Sequence, residues 1–172
     1  NLPFHPDLAG SLAEHISVRF QPEAGINKVF LDEEDVTEAI RSHDVTALVS
    51  QVSAVESVRS AMVELQRKMG KEGGAVLDGR DIGTVVFPHA DVKIFLTANV
   101  DERVRRRYNE LLAKNQQVDK ETLRSEIIAR DKYDSEREIS PLRCAKDAIY
   151  LDTSNIDKDG VVKKILEICK VE

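Results

Sequence analysis

The spacing of apolar residues along the chain predicts both helices and strands. Apolar side chains recur every three or four positions in several segments, as they do on the buried face of an amphipathic helix. These segments are residues 6–15, 44–55, 57–69, 99–115, 120–133 and 157–169. Apolar and polar residues alternate instead in residues 16–20 and 27–31, with Gly25 between them, which predicts an antiparallel β-hairpin. Asp44 is the residue expected to cap the second helix.

Short, mainly apolar runs in the second half of the chain predict buried strands. They are residues 75–77, 92–96 and 149–151. Runs of this length between turn residues fit strands that are covered on both faces. They alternate with predicted helices, which is typical of a parallel sheet flanked by helices. The predicted fold class is therefore α/β, with the hairpin in a part of its own near the start of the chain.

Composition and charge narrow the classes of function. The chain has 172 residues, enough for one domain with an added lobe, and 33% of them are charged. A net charge of −6 argues against general affinity for nucleic acid. No apolar run approaches the length of a membrane span, and no signal peptide is visible, so we expect no membrane partner. The cysteines and histidines show no metal-ligand spacing, and we expect free thiols in a reducing cytoplasm.

A polar turn follows the apolar run at residues 75–77. The stretch AVLDGRDIGTVVF places Arg80 between Asp78 and Asp81, with glycines on either side. Ligands in open α/β sheets bind beyond the carboxyl ends of strands. A guanidinium fork beside carboxylates at that point could hold a phosphate together with a base or a sugar. The alternative is a loop salt bridge, which is the commoner explanation for an isolated pair.

Other polar groups suggest a site only when they are considered together. Arg130, Asp134 and Arg137 would share one helical face if the helix continued that far, although a solvated ion-pair stripe has the same spacing. A dense arginine cluster fits either a surface helix or a segment that closes over polyphosphate. Its members are Arg103, Arg105, Arg106 and Arg107. Ser50 and Arg59 lie in apolar helices, where they could equally be cap or surface residues.

Three segments resemble the bacterial-type cytidylate kinases of the nucleoside monophosphate kinase family. They are SQVSAVESVR, GRDIGTVVFP and RDKYDSEREISPL, in this order along the chain. The resemblance covers nearly the whole sequence. It implies a kinase-like fold with a monophosphate-binding lobe at residues 1–73 and a core at residues 74–172. It also implies a helical lid at about residues 108–140 within that core.

The same resemblance implies an activity and a set of site residues. The expected enzyme transfers the terminal phosphoryl group of ATP to CMP or dCMP with Mg²⁺, as a cytoplasmic monomer. Cytosine would be read by Ser50, Arg59 and Asp81. The ribose hydroxyls would be reached by Arg130 and Asp134. The phosphate would be held by Arg80 and Arg137, and Arg80, Arg130 and Arg137 would act in catalysis. The ATP phosphates would be bound and neutralised by Arg103, Arg106 and Arg107.

One family motif is not found in the printed sequence. These kinases carry a phosphate-binding loop of the form G-x-x-x-x-G-K-[ST], and no Gly-Lys-Ser or Gly-Lys-Thr occurs here. We expect an upstream segment that supplies this loop and a strand between residues 75–78 and 92–96; without it, activity should be impaired. Two other hypotheses stay open, a catalytically silent nucleotide-binding module and a structural or regulatory domain with a kinase-like shell. A uridylate or adenylate preference is a variant of the enzyme hypothesis.

Overall fold

The computed structural model describes residues 5–23 and 25–170. The chain divides into two compact units, Asn1–Ala75 and Val76–Glu172. The first unit contains α1 (Pro6–His15), β1 (Val18–Glu23), β2 (Ile26–Leu31), β3 (Glu34–Asp35), α2 (His43–Ser53) and α3 (Glu56–Met69). The second contains β4 (Ile94–Thr97), α4 (Val100–Ala113), α5 (Lys120–Glu136), β5 (Ile149–Asp152) and α6 (Lys158–Cys169).

The first unit is built on the predicted hairpin. Strands β1 and β2 pair antiparallel from Val18 opposite Leu31 to the turn at Gly25, whose φ of +80° suits glycine. Helix α1 packs on α3 at Gly10, where an added Cβ would lie 2.1 Å from the hydroxyl oxygen of Ser57. The missing side chain at Gly10 therefore allows the two helices to approach closely.

The cap of α2 differs from the expectation from sequence. The hydroxyl of Ser42, rather than the carboxylate of Asp44, accepts the backbone N–H of Val45 at 3.3 Å. Ser42 has the extended backbone that a capping residue needs, whereas Asp44 already lies in the first helical turn. There the Asp44 carboxylate favours the helix through its position near the positive end of the helix dipole.

The second unit contains the parallel sheet. Strands β4 and β5 pair in parallel with Ile94 opposite Ile149, and the rings of Phe95 and Tyr150 stack at 5.7 Å. Each following helix begins with a side-chain cap on a backbone N–H at 2.8 Å. The capping residues are Asn99 for α4, Asp119 for α5 and Asp157 for α6. A parallel sheet flanked by helices, together with the antiparallel hairpin, confirms the predicted α/β fold class.

The predicted strand at residues 75–77 is not formed. Among the described residues, β4 pairs only with β5, and no strand pairs with residues 75–78. Val76 is 99% exposed, so it is not part of a covered sheet. An apolar run forms a strand only where a neighbouring strand pairs with its backbone N–H and C=O groups. The pattern of apolar residues does not show whether such a neighbour is present.

Candidate functional site

A wide turn fixes the backbone at Asp81. The carbonyl oxygen of Asp81 accepts the N–H groups of Thr84, Val85 and Val86 at 3.3, 2.8 and 3.3 Å. The N–H of Phe87 then donates to the carbonyl of Ile82 at 2.7 Å, a bond that spans five residues and defines a π-type turn. Such turns often occur at functional sites. Asp81 is 3% exposed at the head of this turn, and Arg80 directly precedes it.

Asp134 gathers two arginines of the second unit. Its side chain, on the last part of α5, is only 4% exposed, and its Oδ2 accepts the Nε–H of Arg80 at 2.9 Å. The Nε of Arg130, one helical turn earlier on α5, lies 3.8 Å from the same oxygen. The Arg80 and Arg130 side chains are 43% and 41% exposed. The buried carboxylate thus orients two guanidinium groups that an anion can still reach.

The Arg80–Asp134 pair joins the polar turn to a distant part of the sequence, and its role in a ligand site stays a prediction. Its members are 54 residues apart in sequence, so the pair joins the turn after residue 79 to helix α5. A salt bridge inside one loop, the alternative considered from the sequence, does not describe it. The arrangement instead brings the GRD segment and the RDKYD segment to one place.

Arg137 leaves the helical face that carries Arg130 and Asp134. Helix α5 ends at Glu136, so the condition for a shared face is not met. The Nε–H of Arg137 instead donates to the carbonyl of Ser140 at 2.7 Å. Ser140 has a φ of +50°, and the N–H of Leu142 donates to the carbonyl of Asp134 at 2.7 Å. Arg137 therefore closes the loop that follows α5.

Carboxylates and carbonyls engage the arginines of α4. Arg103 forms a two-pronged pair with Asp131 of α5, with Nη1 to Oδ1 at 2.9 Å, which raises the pKa of Arg103. Arg107 pairs with Glu110 at 2.7 Å. These carboxylates neutralise arginines that would otherwise repel one another. A phosphate would therefore have to replace a carboxylate at each arginine.

Arg106 is the most firmly held of these arginines. Its Nη2 donates to the carbonyl oxygens of Thr153 at 2.6 Å and Ile156 at 3.2 Å, and its Nη1 donates to the hydroxyl of Thr153 at 3.1 Å. Its Nε donates to Glu102 at 2.7 Å. Hydrogen bonds from Arg105 and Arg106 lower the pKa of Glu102 to about 2. Arg106 therefore links α4 to the segment after β5.

Ser50 and Arg59 belong to the first unit. Ser50 lies in α2, where its carbonyl accepts the hydroxyl of Ser53 at 3.2 Å. Arg59 is one of the buried residues of α3. The expectation that both converge with Asp81 on one nucleotide stays a prediction, as does the assignment of residues 1–73, 74–172 and about 108–140 to lobe, core and lid.

Two charged residues of the second unit form contacts that were not expected from the sequence. Asp131 pairs with Arg103. The side chain of Lys93 is only 7% exposed. The only signal for Asp131 was its place directly after Arg130 in the RDKYD segment. For Lys93 the signal was a charge inside the apolar run VKIFL, where a buried cation requires partners.

Residues 5–23 and 25–170, the part of the chain that the structure describes, contain neither a membrane-spanning helix nor a metal-binding cluster. No helix there is both long and apolar enough to cross a bilayer. The same residues contain no group of three or more histidine, cysteine, aspartate or glutamate side chains placed to hold a metal ion.

Comparison with known families agrees with the converging segments. The family model described as cytidylate kinase matches residues 4–171. The chain belongs to the cytidylate kinase family. Similar proteins include the cytidylate kinase of Leuconostoc mesenteroides subsp. mesenteroides, 51% identical over 158 residues, which are 92% of this chain and 70% of the relative. That of Exiguobacterium sibiricum is 48% identical over 94% of this chain and 72% of its own length. That of Carboxydothermus hydrogenoformans is 51% identical over 91% and 71%.

Proposed function

We propose that this cytidylate kinase family member transfers the γ-phosphoryl group of ATP to CMP or dCMP, giving CDP or dCDP. The observation that carries the proposal is the buried Asp134 carboxylate with Arg80 at 2.9 Å and Arg130 at 3.8 Å. Two accessible guanidiniums beside a carboxylate suit a ligand that has both a phosphate and sugar hydroxyls. The cytidylate kinase names of the relatives support cytosine as the base.

The proposed contacts on the monophosphate side follow from the chemistry of each group. The Nη groups of Arg80 would hold the phosphate, because its Nε is already engaged by Asp134. Asp134 and Arg130 would bind the ribose hydroxyls. Ser50, Arg59 and Asp81 would pair with the polar edge of cytosine. A site that offers hydrogen bonds to one base rejects a base that leaves them unpaired.

The proposed contacts on the phosphate side involve the remaining arginines. Arg137, with Arg80 and Arg130, would stabilise the charge that develops during in-line transfer. Arg103, Arg106 and Arg107 would neutralise ATP phosphates by exchanging carboxylates for phosphate oxygens. Exchange of a carboxylate for a phosphate is easier at Arg103 and Arg107 than at Arg106, because Arg106 also donates to main-chain carbonyls. In phosphoryl transfer the protein contributes mainly positioning and charge neutralisation.

Mg²⁺ would arrive with ATP. This ion usually keeps several waters and binds through one or two carboxylates together with substrate phosphates. A dedicated cage of carboxylates is therefore not required of the protein, and the ion would supply positive charge that offsets the charge of the nucleotide phosphates. The proposal also places the protein in the cytoplasm as a monomer, where free thiols such as Cys144 and Cys169 stay reduced.

The proposal is tested by an enzyme-linked assay of ADP formation beside a calorimetric titration with CMP. We expect saturable CMP binding and ADP release that requires CMP or dCMP and is much slower with UMP or AMP. Binding of CMP without turnover, in a protein that also contains the phosphate-binding loop expected from the family, would instead identify a nucleotide-binding module. The absence of both CMP binding and turnover would contradict the proposed function.

A further inference from the structure

Lys93 is a buried lysine outside the proposed nucleotide contacts. Its side chain is 7% exposed, and its ammonium donates to the carbonyl of Pro88 at 2.5 Å and to Oδ2 of Asp147 at 2.6 Å. Its own carbonyl accepts the N–H of Ile149, so the residue is anchored where β4 and β5 begin to pair. The carboxylate of Asp147 and the carbonyl of Pro88 replace the water contacts that the ammonium loses on burial.

The stem of Lys93 packs against the turn that carries Asp81. A Cβ added to Gly83 would lie 3.3 Å from Cδ and 3.5 Å from Cγ of Lys93. The bare backbone of Gly83 therefore allows the methylene chain to lie along the turn. The ammonium then reaches the carbonyl of Pro88, which directly follows the turn. One side chain thus contacts the turn in its middle and just beyond its end.

We propose that Lys93 is a positioning residue for the nucleotide site. It holds the π-type turn of residues 82–86 against the start of the sheet and so fixes the direction of Arg80 and Asp81. The proposal rests on the proposed function in one respect, namely that Arg80 and Asp81 bind CMP. Its structural half, that Lys93 fixes the turn, stands on the contacts of Gly83, Pro88 and Asp147.

The state of Asp147 fits this role. Its side chain is 67% exposed, yet the hydrogen bond from Lys93 holds its pKa below the ordinary value of 3.8. The carboxylate is therefore charged at neutral pH and gives the Lys93 ammonium a fixed partner on the solvent side. Pro88 supplies the partner on the turn side.

The test compares Lys93→Met and Asp147→Asn with a matched control. Lys93→Met keeps a stem of similar length but removes both hydrogen bonds of the ammonium. Lys28→Met is the control, because it likewise removes an ammonium that is ion-paired, with Glu23 at 2.8 Å, from a residue of the other unit. Asp147→Asn removes the negative charge of one partner at an exposed position, so it provides a second test if Lys93→Met does not fold.

The first readout is amide hydrogen exchange without ligand. The N–H groups of Val85 and Phe87 report the turn, and that of Leu166 in α6 reports the rest of the second unit. We expect Lys93→Met to speed exchange at Val85 and Phe87 about tenfold, with little change at Leu166, and Asp147→Asn to have a smaller effect at the same amides. Unchanged exchange at the turn in both variants, or an equal increase at Leu166, would overturn the proposal.

The second readout is the affinity for CMP by calorimetry. We expect Lys93→Met to weaken CMP about tenfold, because a displaced turn misdirects Arg80 and Asp81, and Lys28→Met to leave it unchanged. Faster turn exchange with wild-type CMP affinity would refute the positioning role. If the unaltered chain does not bind CMP, the proposed function fails, whereas the exchange data still decide whether Lys93 fixes the turn.

Discussion

Among single residues, Asp134 is one whose substitution should affect both stability and the proposed nucleotide site. Its carboxylate is almost fully buried, and it is paired with two guanidiniums that are partly exposed. Removing one partner of a buried ion pair is costly because the other charge is left uncompensated. The cost is lower here than in a sealed core, because water can reach Arg80 and Arg130.

Asp134→Ala is expected to lower the free energy of unfolding by about 1–3 kcal/mol and to weaken the use of CMP and dCMP unequally. The two effects have different origins. The first comes from the unpaired arginines, and the second arises because only CMP has a 2′-hydroxyl for the carboxylate to bind. Urea titration measures the first, and kcat/KM for each nucleotide measures the second.

Glu126→Ala is the matched control for Asp134→Ala, since Glu126 is an exposed carboxylate on the same helix. We expect it to change neither quantity beyond about 0.5 kcal/mol. Equal losses of kcat/KM for CMP and dCMP in Asp134→Ala would contradict the proposed binding of the ribose by this residue.

Asp81→Ala is expected to raise KM for CMP much more than KM for ATP. The carboxylate is buried at the head of the turn. In the proposed function it forms hydrogen bonds with the polar edge of cytosine. Steady-state kinetics with each substrate varied in turn separates the two constants. A similar rise in both would show that Asp81 supports the fold rather than reading the base.

Single residues were predicted where a motif named them, whereas their partners were not. Arg80, Asp81, Arg130 and Asp134 were expected at the site from the resemblance, but nothing in the sequence joins Arg80 to a carboxylate 54 positions away. That pairing depends on how α5 packs, which is a property of the folded chain. Lys93 was overlooked for the same reason, because its partners lie in other segments.

At the scale of elements, the first turn of α4 contains a charge cluster with a clear pH dependence. Glu102 accepts hydrogen bonds from Arg105 and Arg106, which lower its pKa from 4.5 to about 2. A group whose pKa is lower in the folded state stabilises the fold above its unfolded pKa. That contribution is lost as the pH falls from about 4.5 towards 2.

Glu102→Gln is therefore expected to be less stable than the unaltered chain at pH 7, with a difference that shrinks as the pH falls from 5 to 3. Thermal unfolding at several pH values measures the difference. A gap between the two proteins that stays constant over this range would contradict the assigned cause of the pKa shift.

Arg106 and Arg107 are neighbours in α4 with different expected effects. Arg106→Ala should lower the free energy of unfolding by about 1–3 kcal/mol, because it removes donors from the carbonyls of Thr153 and Ile156. Arg107→Ala should cost less than about 1 kcal/mol, because it removes a surface pair with Glu110. Urea titration of the two variants gives the comparison, and equal losses would contradict it.

Elements were predicted well where local chemistry defines them. Asn99, Asp119 and Asp157 cap helices that start where the sequence placed them, because a cap acts on the residues next to it. Residues 75–77 show the limit of this reasoning. Their apolar pattern fits a strand, but a strand also needs a neighbour, and periodicity does not report one.

At the scale of the whole molecule, the order of elements was enough to predict the α/β class. Apolar runs that alternate with amphipathic helices have few arrangements that cover both faces of a sheet. Membership of the cytidylate kinase family, shown by the match over residues 4–171, agrees with that class. The proposed convergence of Ser50 and Arg59 with residues of the second unit stays a prediction, because periodicity and element order carry no information about contacts between distant segments.

The proposed function depends above all on the Arg80 guanidinium, which Asp134 orients, binding the phosphate of a cytidine nucleotide. Parallel calorimetric titrations of the unaltered chain and Arg80→Ala with CMP and with cytidine test it most directly. We expect the unaltered chain to bind CMP more tightly than cytidine, and Arg80→Ala to weaken CMP binding at least about tenfold while barely changing cytidine binding. Equal affinity of the unaltered chain for CMP and cytidine, or no saturable binding of CMP, would contradict it.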